Sequence, residues 1–370
     1  MPVPLLDLKA QHALIRDDVV AALMKVVDDQ VFILGEPVER LERMVAELSG
    51  AKHAIGCANG TDAILLALRA LDVGRGDEVV TTPFTFFATA GTVHNVGATP
   101  VFADIDPKTY NIDPEAAAAA VGSRTKAIVP VDLFGQMAAM DRIQALVPHL
   151  PLIEDAAQSI GASRMIDGRK VMAGEAAAIG TFSFYPSKNL GGYGDGGMMV
   201  TQNDELALRL KRLRTHGGAK QYFHDEVGYN SRLDALQAAV LAAKFPHLSH
   251  WSAGRRANAA YYDSAFADVG EITTPFIEPG NESIFNQYTI RVDKRDELQA
   301  FLKAKGVGSH IYYPLPLHLQ PCFAYLGCSA GQFPHAERAS REVLSLPIFP
   351  ELTSSQLDEV TGTVRAFFGR

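Results

Sequence analysis

The chain has 370 residues, of which 47% are hydrophobic and 21% charged, and this is an ordinary globular composition. Its formal net charge is −8 and no basic cluster occurs, so binding to nucleic acid or to an anionic membrane is not expected. No apolar run reaches the roughly 18 residues that a membrane span requires. The length suffices for one large core and a second, smaller domain.

Cysteine usage and the first residues favour the cytoplasm. The three cysteines, Cys57, Cys322 and Cys328, have neither zinc-ligand nor redox-motif spacing. The first residues lack a charged stretch followed by an apolar core, so we expect no signal peptide. An odd number of cysteines without such a signal favours reduced thiols. We therefore expect a cytoplasmic protein that binds no metal.

Short apolar segments alternate with helix-like segments through the first 215 residues. Helical patterns occur near 64–71, 87–96 and 204–215. This alternation predicts an α/β fold with a mostly parallel sheet and helices on both faces. The expected strands are 54–57, 78–81, 99–102, 127–130, 152–154, 181–184 and 198–201.

The pattern changes in the rest of the chain. A polar, glycine-containing segment at 217–231 precedes two helical stretches, 233–246 and 249–266. Beyond them, 285–291 and 309–313 are typical of strands and 297–305 of a helix. We expect a large domain at residues 1–249 and a small α+β domain at residues 250–370.

The segment from Thr181 to Gly197 carries the clearest chemical signal. Lys188 ends an apolar run and opens a glycine-rich loop, and upstream another apolar run ends in Asp155. An amine and a carboxylate at the carboxyl ends of two buried strands suit pyridoxal phosphate (PLP), whose aldehyde needs an amine and whose ring nitrogen needs an acid. Taken alone, Lys188 could be a surface lysine and Asp155 a helix N-cap. The glycines match neither the dinucleotide nor the P-loop spacing, so nicotinamide chemistry is disfavoured.

Other residues are typical of a phosphate site and a ring pocket. Gly60 and Thr61 follow a strand and open a helix, where free N–H groups bind anions, although a plain N-cap explains the pattern equally well. Ser183 could point toward the same phosphate. Gln158 could touch the ring's hydroxyl side or be a surface glutamine. One of the phenylalanines at 84–87 could stack on a flat ring, or the group could be core.

Together these segments resemble the DegT/StrS-like nucleotide-sugar aminotransferases, a branch of the fold-type-I PLP transferases. The resemblance covers nearly the whole chain and implies a seven-stranded type of sheet. It rests on Ile33-Leu-Gly35, Cys57-Ala-Asn-Gly-Thr-Asp-Ala63, Gly76-Asp-Glu-Val-Val80, Ile153-Glu-Asp-Ala-Ala-Gln-Ser159, residues 182–197, Asn230-Ser-Arg-Leu-Asp234 with Gln237, and Tyr313-Pro-Leu-Pro-Leu-His318.

The resemblance implies a role for each matching residue. Lys188 would be the Schiff-base lysine that also moves a proton, and Asp155 the partner of the pyridinium nitrogen. Asn230 would bind the phosphate of the second subunit, which implies a homodimer with shared active sites. The remaining cofactor contacts would be Gly60, Thr61 and Ser183 at the phosphate, Phe86 stacked on the ring and Gln158 beside the ring hydroxyl.

The implied reaction has two half-reactions. An amino acid, in this family usually glutamate, gives its amine to the cofactor, which becomes the pyridoxamine form (PMP), and a nucleotide-linked keto sugar then accepts the amine. The context of Lys188, with Asp195 in the glycine loop, resembles members that act at C3 of the sugar. The alternatives are the same chemistry at C4 and a non-catalytic PLP-binding sensor. Lys188 disfavours the related dehydratases, which carry histidine there.

Four residues are candidates for substrate contacts. Arg232 could meet a sugar carboxylate or a diphosphate, and Tyr313, His310 and His318 could line the sugar pocket. Resembling subgroups act on a UDP-linked 3-keto-hexuronic acid bearing an N-acetyl group or on TDP-linked 3-keto-6-deoxyhexoses. Surface polysaccharide and deoxyamino-sugar synthesis are the corresponding roles. Tyr312 stands where relatives often have a histidine before Tyr-Pro, which leaves the acceptor open.

Overall fold

The computed structural model describes residues 2–370 as helices and strands that alternate through most of the chain. The α-helices are α1 (Leu8–Asp29), α2 (Glu36–Leu48), α3 (Gly60–Ala70), α4 (Phe87–Asn95), α5 (Pro114–Ala119), α6 (Met140–Leu146), α7 (Asp204–Leu213), α8 (Ala235–Lys244), α9 (Leu248–Phe266), α10 (Arg295–Ala304), α11 (Pro334–Glu342) and α12 (Ser354–Phe367). Short 3-10 helices span Leu133–Gly135, Phe245–His247, Leu317–Leu319 and Pro321–Leu326.

The strands are short and mostly buried. They are β1 (His53–Cys57), β2 (Glu78–Thr81), β3 (Thr99–Phe102), β4 (Thr125–Val129), β5 (Ile153–Asp155), β6 (Ser163–Ile166), β7 (Arg169–Met172), β8 (Ile179–Ser183), β9 (Gly197–Thr201), β10 (Asn281–Glu282), β11 (Tyr288–Arg291) and β12 (Val343–Leu346).

Seven strands form the central sheet, and these are the seven that the apolar runs predict. Strands pair in the orders β1-β9-β8-β5 and β3-β2-β4. Parallel bridges from Ile128 to Leu152 and from Val131 to Asp155 join the two groups along β4 and β5. Only β9 runs antiparallel to its two neighbours, while β2, β3 and β4, like β5 and β8, pair in parallel. The predicted mostly parallel α/β sheet is confirmed.

Both faces of this sheet are covered by helices. Every residue of β9 is buried, because its side chains alternate between two cores. Met199 packs in the core that includes α3 and α7, and Met198 and Val200 pack in the core that includes α2 and Leu233. A strand that is buried on both faces needs apolar residues at successive positions, so its sequence is an apolar run and not an alternation of apolar and polar residues.

The C-terminal part has its own core. Residues of α9, β11, α10, β12 and α12 form one cluster, which includes Tyr262, Tyr288 and Val360. Val3 belongs to the same cluster and is bridged to Val307. The predicted large domain begins at residue 1, which lies outside the described residues.

One expected strand is absent, and one hairpin occurs that the sequence analysis did not predict. The predicted strand at 309–313 is wrong, because only His310 pairs with Ser345 before the prolines at 314 and 316 end the ladder. The hairpin β6–β7 was not predicted. Its turn places Asp167 and Gly168 at φ of 49° and 77°, as a two-residue Asp-Gly turn requires.

None of the helices within residues 2–370 is both long and apolar enough to cross a membrane.

Candidate functional site

Asp155 is the last residue of β5 and is only 5% exposed. The hydroxyl of Thr89, on α4, donates to Asp155 Oδ2 at 2.7 Å. The backbone N–H of Ala157 donates more weakly to Oδ1, at 3.3 Å. Burial raises the pKa of this carboxyl, and the hydrogen bond from Thr89 and the charge of Lys188 oppose that rise. Asp155 is thus a buried acid with free acceptor capacity beside an amine.

Lys188 follows β8 and is half-buried. Burial lowers the pKa of its amine to about 8, with the charge of Asp155 acting in the opposite direction. The two residues stand at the carboxyl ends of β8 and β5, which pair in parallel, and their charges therefore act on one another. A lysine of lowered pKa offers more free amine at neutral pH, which is the form that attacks an aldehyde.

Several contacts fix the loop that begins at Lys188. The backbone N–H of Lys188 donates to the Tyr185 carbonyl at 2.8 Å, and the Asn189 amide donates to the Ile284 carbonyl at 3.0 Å. The buried amine of Lys244 donates to the Gly191 carbonyl at 2.5 Å. A Cβ at Gly191 would lie 2.3 Å from the Pro186 carbonyl oxygen, so glycine lets this loop fold tightly.

The start of α3 lies against the end of β8. A Cβ on Gly60 would lie only 2.5 Å from Ser183 Cβ, so these two predicted phosphate residues are in contact. Asn59 caps the helix, since its side chain accepts from the Asp62 N–H at 2.8 Å. Gly197, the first residue of β9, also lies close to the start of α3. A Cβ added there would be 2.3 Å from the Asn59 carbonyl oxygen, so glycine is needed for the helix to lie this close to the strand. The result is a helix N-terminus with Thr61 and Ser183 beside it, which is an arrangement suited to an anion.

An amide and aromatic rings contact one another near the carboxylate, whose charge acts on Tyr313. Gln158 donates to the Tyr313 hydroxyl at 3.1 Å and accepts from the Phe134 N–H at 2.7 Å. The ring centroids of Tyr313 and Phe86 are 6.3 Å apart. Phe86 is 58% exposed, so its face is free to stack on a planar group.

Three further predicted residues, Asn230, Arg232 and His310, make no recorded contact with Asp155 or Lys188. Asn230 is exposed and pairs through its backbone with Thr215. Arg232 lines an open groove together with His216 and Tyr222. His310 is exposed and packs its ring against Tyr312, with centroids 4.6 Å apart.

His318 is placed differently from its predicted role. It is 2% exposed, its Nε2 is 3.1 Å from Glu337 Oε1, and its ring packs edge-on against Phe333. These contacts indicate that His318 has a structural role, in which its buried ring joins the Leu317–Leu319 turn to α11. Its geometry does not favour the predicted substrate contact.

Sequence reasoning missed Thr89. Its hydroxyl is the closest polar partner of Asp155, yet the two residues are 66 positions apart and no local pattern joins them. The only available signal was its place one turn into the helix that follows the phenylalanine cluster. Within one cluster, the fold thus assembles an acid, an amine, an anion cradle and an aromatic wall.

A model of the DegT/DnrJ/EryC1/StrS aminotransferase family matches residues 13–365. Among curated relatives, a "Pleiotropic regulatory protein" of Geobacillus stearothermophilus is 52% identical, covering 100% of this chain and 99% of that protein. A UDP-N-acetyl-3-dehydro-alpha-D-glucosamine 3-aminotransferase of Acidithiobacillus ferrooxidans is 46% identical, covering 98% and 97%. A UDP-2-acetamido-2-deoxy-3-oxo-D-glucuronate aminotransferase of Pseudomonas aeruginosa is 45% identical, covering 96% and 97%.

Solved structures agree with this match. The crystal structure of S. venezuelae DesV in complex with a ketimine intermediate has a TM-score of 0.96 at 40% identity, covering 100% of this chain and 99% of that one. The structure of NtdA from Bacillus subtilis with bound PMP has a TM-score of 0.89 at 30% identity, covering 99% and 83%.

Proposed function

Because the chain belongs to the DegT/DnrJ/EryC1/StrS aminotransferase family, we propose that it transfers an amino group to C3 of a nucleotide-linked keto sugar. The amine comes from an amino acid, with glutamate as the expected donor, through two half-reactions on PLP. The observation that carries this proposal is the placement of Lys188 and Asp155 at the carboxyl ends of the paired parallel strands β8 and β5.

The residues present fit PLP. Asp155 is a buried carboxylate whose pKa burial raises and whose hydrogen bonds leave acceptor capacity. Gly60 and Ser183 are in contact at the N-terminus of α3, and a Cβ added to Gly60 would fill the space between them. When bound, PLP supplies an aldehyde that captures amines and a ring that withdraws electrons. The amine of Lys188, with a pKa of about 8, suits capture of that aldehyde.

Each residue then has a defined task. Lys188 Nζ holds the cofactor and carries a proton to and from the reacting carbon. Asp155 keeps the ring nitrogen protonated, and Thr89 holds the carboxylate in place. The remaining contacts are Phe86 against the ring, Gln158 at the ring hydroxyl, and Gly60, Thr61, Ser183 and Asn230 of the partner subunit at the phosphate.

The acceptor is a 3-keto sugar on a nucleoside diphosphate. Relatives at 46% and 45% identity carry names of UDP-linked 3-keto-sugar aminotransferases, and one at 41% is a dTDP-3-amino-3,4,6-trideoxy-alpha-D-glucose transaminase of Streptomyces venezuelae. Arg232, Tyr313 and His310 are the substrate contacts that we propose, with Arg232 facing a carboxylate or the diphosphate. A UDP-linked 3-keto-hexuronic acid would place the enzyme in surface polysaccharide synthesis.

We also propose a cytoplasmic homodimer, with domains at 1–249 and 250–370. Large apolar side chains stand exposed on α1, at 31–33 and at 222–227, including Leu14, Ile33 and Val227, and such surfaces are common at subunit interfaces. The separate C-terminal core supports the second domain.

Single-turnover amination tests the function. Enzyme loaded with PMP is mixed separately with a UDP-linked 3-keto-hexuronic acid and a TDP-linked 3-keto-6-deoxyhexose, and the amino sugar nucleotide is measured by mass spectrometry. The proposal predicts stoichiometric product from at least one of them, and none with Lys188→Ala. Conversion of only 4-keto sugars would move the reaction to C4, and no conversion of any keto sugar by PLP-binding protein would favour a sensor.

A further inference from the structure

Glu154 lies on β5 immediately before Asp155 and is fully buried. Neither of its carboxylate oxygens has a hydrogen-bond partner of ordinary geometry within residues 2–370, although the Gly174 N–H lies near enough to act on its charge. A buried ionised carboxylate without donors is strongly disfavoured. Since successive strand residues point to opposite faces, Glu154 lies across the sheet from the side chain of Asp155.

A second buried carboxyl, Asp132, follows β4 on the same face of the sheet, because the parallel bridge of Val131 to Asp155 turns the neighbours Asp132 and Glu154 to the opposite face. Asp132 has donors of its own: the Ala138 N–H donates to Oδ1 at 2.8 Å and the Ser159 hydroxyl to Oδ2 at 2.7 Å. Burial raises the pKa of Asp132 to about 6, and these two donors oppose that rise, whereas Glu154 lacks comparable donors.

Burial and mutual repulsion disfavour ionisation of both acids together. Burial and then the charge of Asp132 raise the pKa of Glu154 well above its usual value. The Gly174 N–H opposes this rise weakly and the charge of Glu175 adds to it. The charge of Asp155, across the sheet, further raises the pKa of Asp132. A shared proton resolves the repulsion, and the donors around Asp132 assign that proton to Glu154.

We propose that Glu154 carries a proton at neutral pH and donates it in a hydrogen bond to Asp132, which makes Glu154 a positioning residue for the cofactor site. The role toward the cofactor rests on the proposed function. Asp132 is the link, because its backbone N–H donates to the Asp155 carbonyl at 3.0 Å. Its side chain holds Ser159, next to Gln158, and Ala138, at the end of the loop that contains Phe134.

This arrangement has two consequences for the site. One negative charge, rather than two, lies behind Asp155, so that carboxyl is less strongly driven to take up a proton. Gln158 contacts the Phe134 N–H and the Tyr313 hydroxyl. The Asp132 carboxylate holds the turn of Gln158 through Ser159 and the loop of Phe134 through Ala138. Glu154 acts through Asp132 and does not touch the cofactor itself.

Infrared difference spectroscopy of the holoenzyme tests the proton directly. Wild-type minus Glu154→Gln at neutral pH is expected to show loss of one protonated-carboxyl C=O band, with the carboxylate bands unchanged. Loss of a carboxylate band instead would show that Glu154 is ionised and would overturn the proposal. This result does not depend on catalysis, so it stands apart from any failure of the proposed aminotransferase activity.

A matched pair of variants tests the positioning. Glu154→Gln keeps an N–H donor for Asp132, so PLP affinity and the pH dependence of the bound cofactor's visible spectrum should match the wild type. Glu154→Leu leaves Asp132 without that donor, so PLP affinity should fall about tenfold, the worth of one buried hydrogen bond to a charged group, and the spectral pH profile should shift. Equal PLP affinity and equal profiles in both variants would refute the positioning role. If Glu154→Leu does not fold, Glu154→Met takes its place in the comparison, because its flexible unbranched side chain has nearly the length of glutamate and likewise offers Asp132 no donor.

Discussion

At the scale of single residues, the site depends on two buried groups whose charges are mutually adjusted. Burial favours the neutral form of both Lys188 and Asp155, and the attraction between them favours the charged form of both. The net result is a lysine with a lowered pKa beside an acid with a raised one. Such a pair is poised to exchange an amine and a proton with a bound cofactor.

The lowered pKa of Lys188 predicts the pH dependence of cofactor capture. Only the free amine reacts, so the rate at which protein freed of PLP captures added PLP should increase as pH rises through about 8 and level off above it. Stopped-flow absorbance over a pH series measures this rate. Lys188→Arg should give no cofactor that borohydride can fix at any pH. A rise centred near the ordinary lysine value of 10.5 would contradict the desolvated environment.

The hydroxyl of Thr89 should hold Asp155 in its ionised form. Thr89→Val removes the hydrogen bond that lowers the pKa of Asp155, so that pKa should rise further and PLP affinity should fall about tenfold, as expected for a lost bond to a charged group. Thr92→Val is the matched control, because the Thr92 hydroxyl bonds only to carbonyls of α4. Equal dissociation constants for the two variants, measured by titration with PLP, would show that Thr89 does not act on the acid.

At the scale of elements, the contact between α3 and β8 sets the anion cradle. Gly60→Ala places a Cβ 2.5 Å from Ser183 Cβ, so the helix start must move, at a cost of about 1–3 kcal/mol for overpacking. We expect weaker PLP binding together with lower stability in urea. Gly362→Ala, within α12 and with no atom within 4 Å of the added Cβ, should instead stabilise the protein by about 0.5–1 kcal/mol and leave PLP binding unchanged. Unaltered PLP affinity in Gly60→Ala would argue against a phosphate site here.

The same elements show how far the sequence determines the fold and the site. Seven buried strands were predictable because both faces need apolar residues, which leaves a continuous signal such as Met198-Met-Val200. The β6–β7 hairpin was missed because much of it is polar and exposed, although Asp167-Gly168 is a strong turn signal. Lys188 and Asp155 were found by residue type at strand ends. The partners Thr89 and Asp132 were not, since only the tertiary fold brings them to Asp155 and Glu154.

At the scale of the whole molecule, the proposed homodimer assigns Asn230 to the neighbouring subunit's site. Asn230 is exposed, and the adjacent Ser231 is bonded to Asp62 of its own subunit at 2.7 Å. The loop is therefore anchored on its own subunit while the side chain of Asn230 remains available to a partner. In the proposed homodimer, every active site would be the product of two chains.

Subunit mixing tests that arrangement. Lys188→Ala and Asn230→Ala are each expected to be nearly inactive as homodimers, because every site then lacks either its amine or a phosphate ligand. In a mixed dimer, the intact Lys188 of one chain meets the intact Asn230 of the other, so one of the two sites is complete. Random exchange of equal amounts should therefore restore about a quarter of wild-type activity. If Asn230 served its own subunit, every site would keep a lesion, and mixing the variants would restore no activity in the same transamination assay.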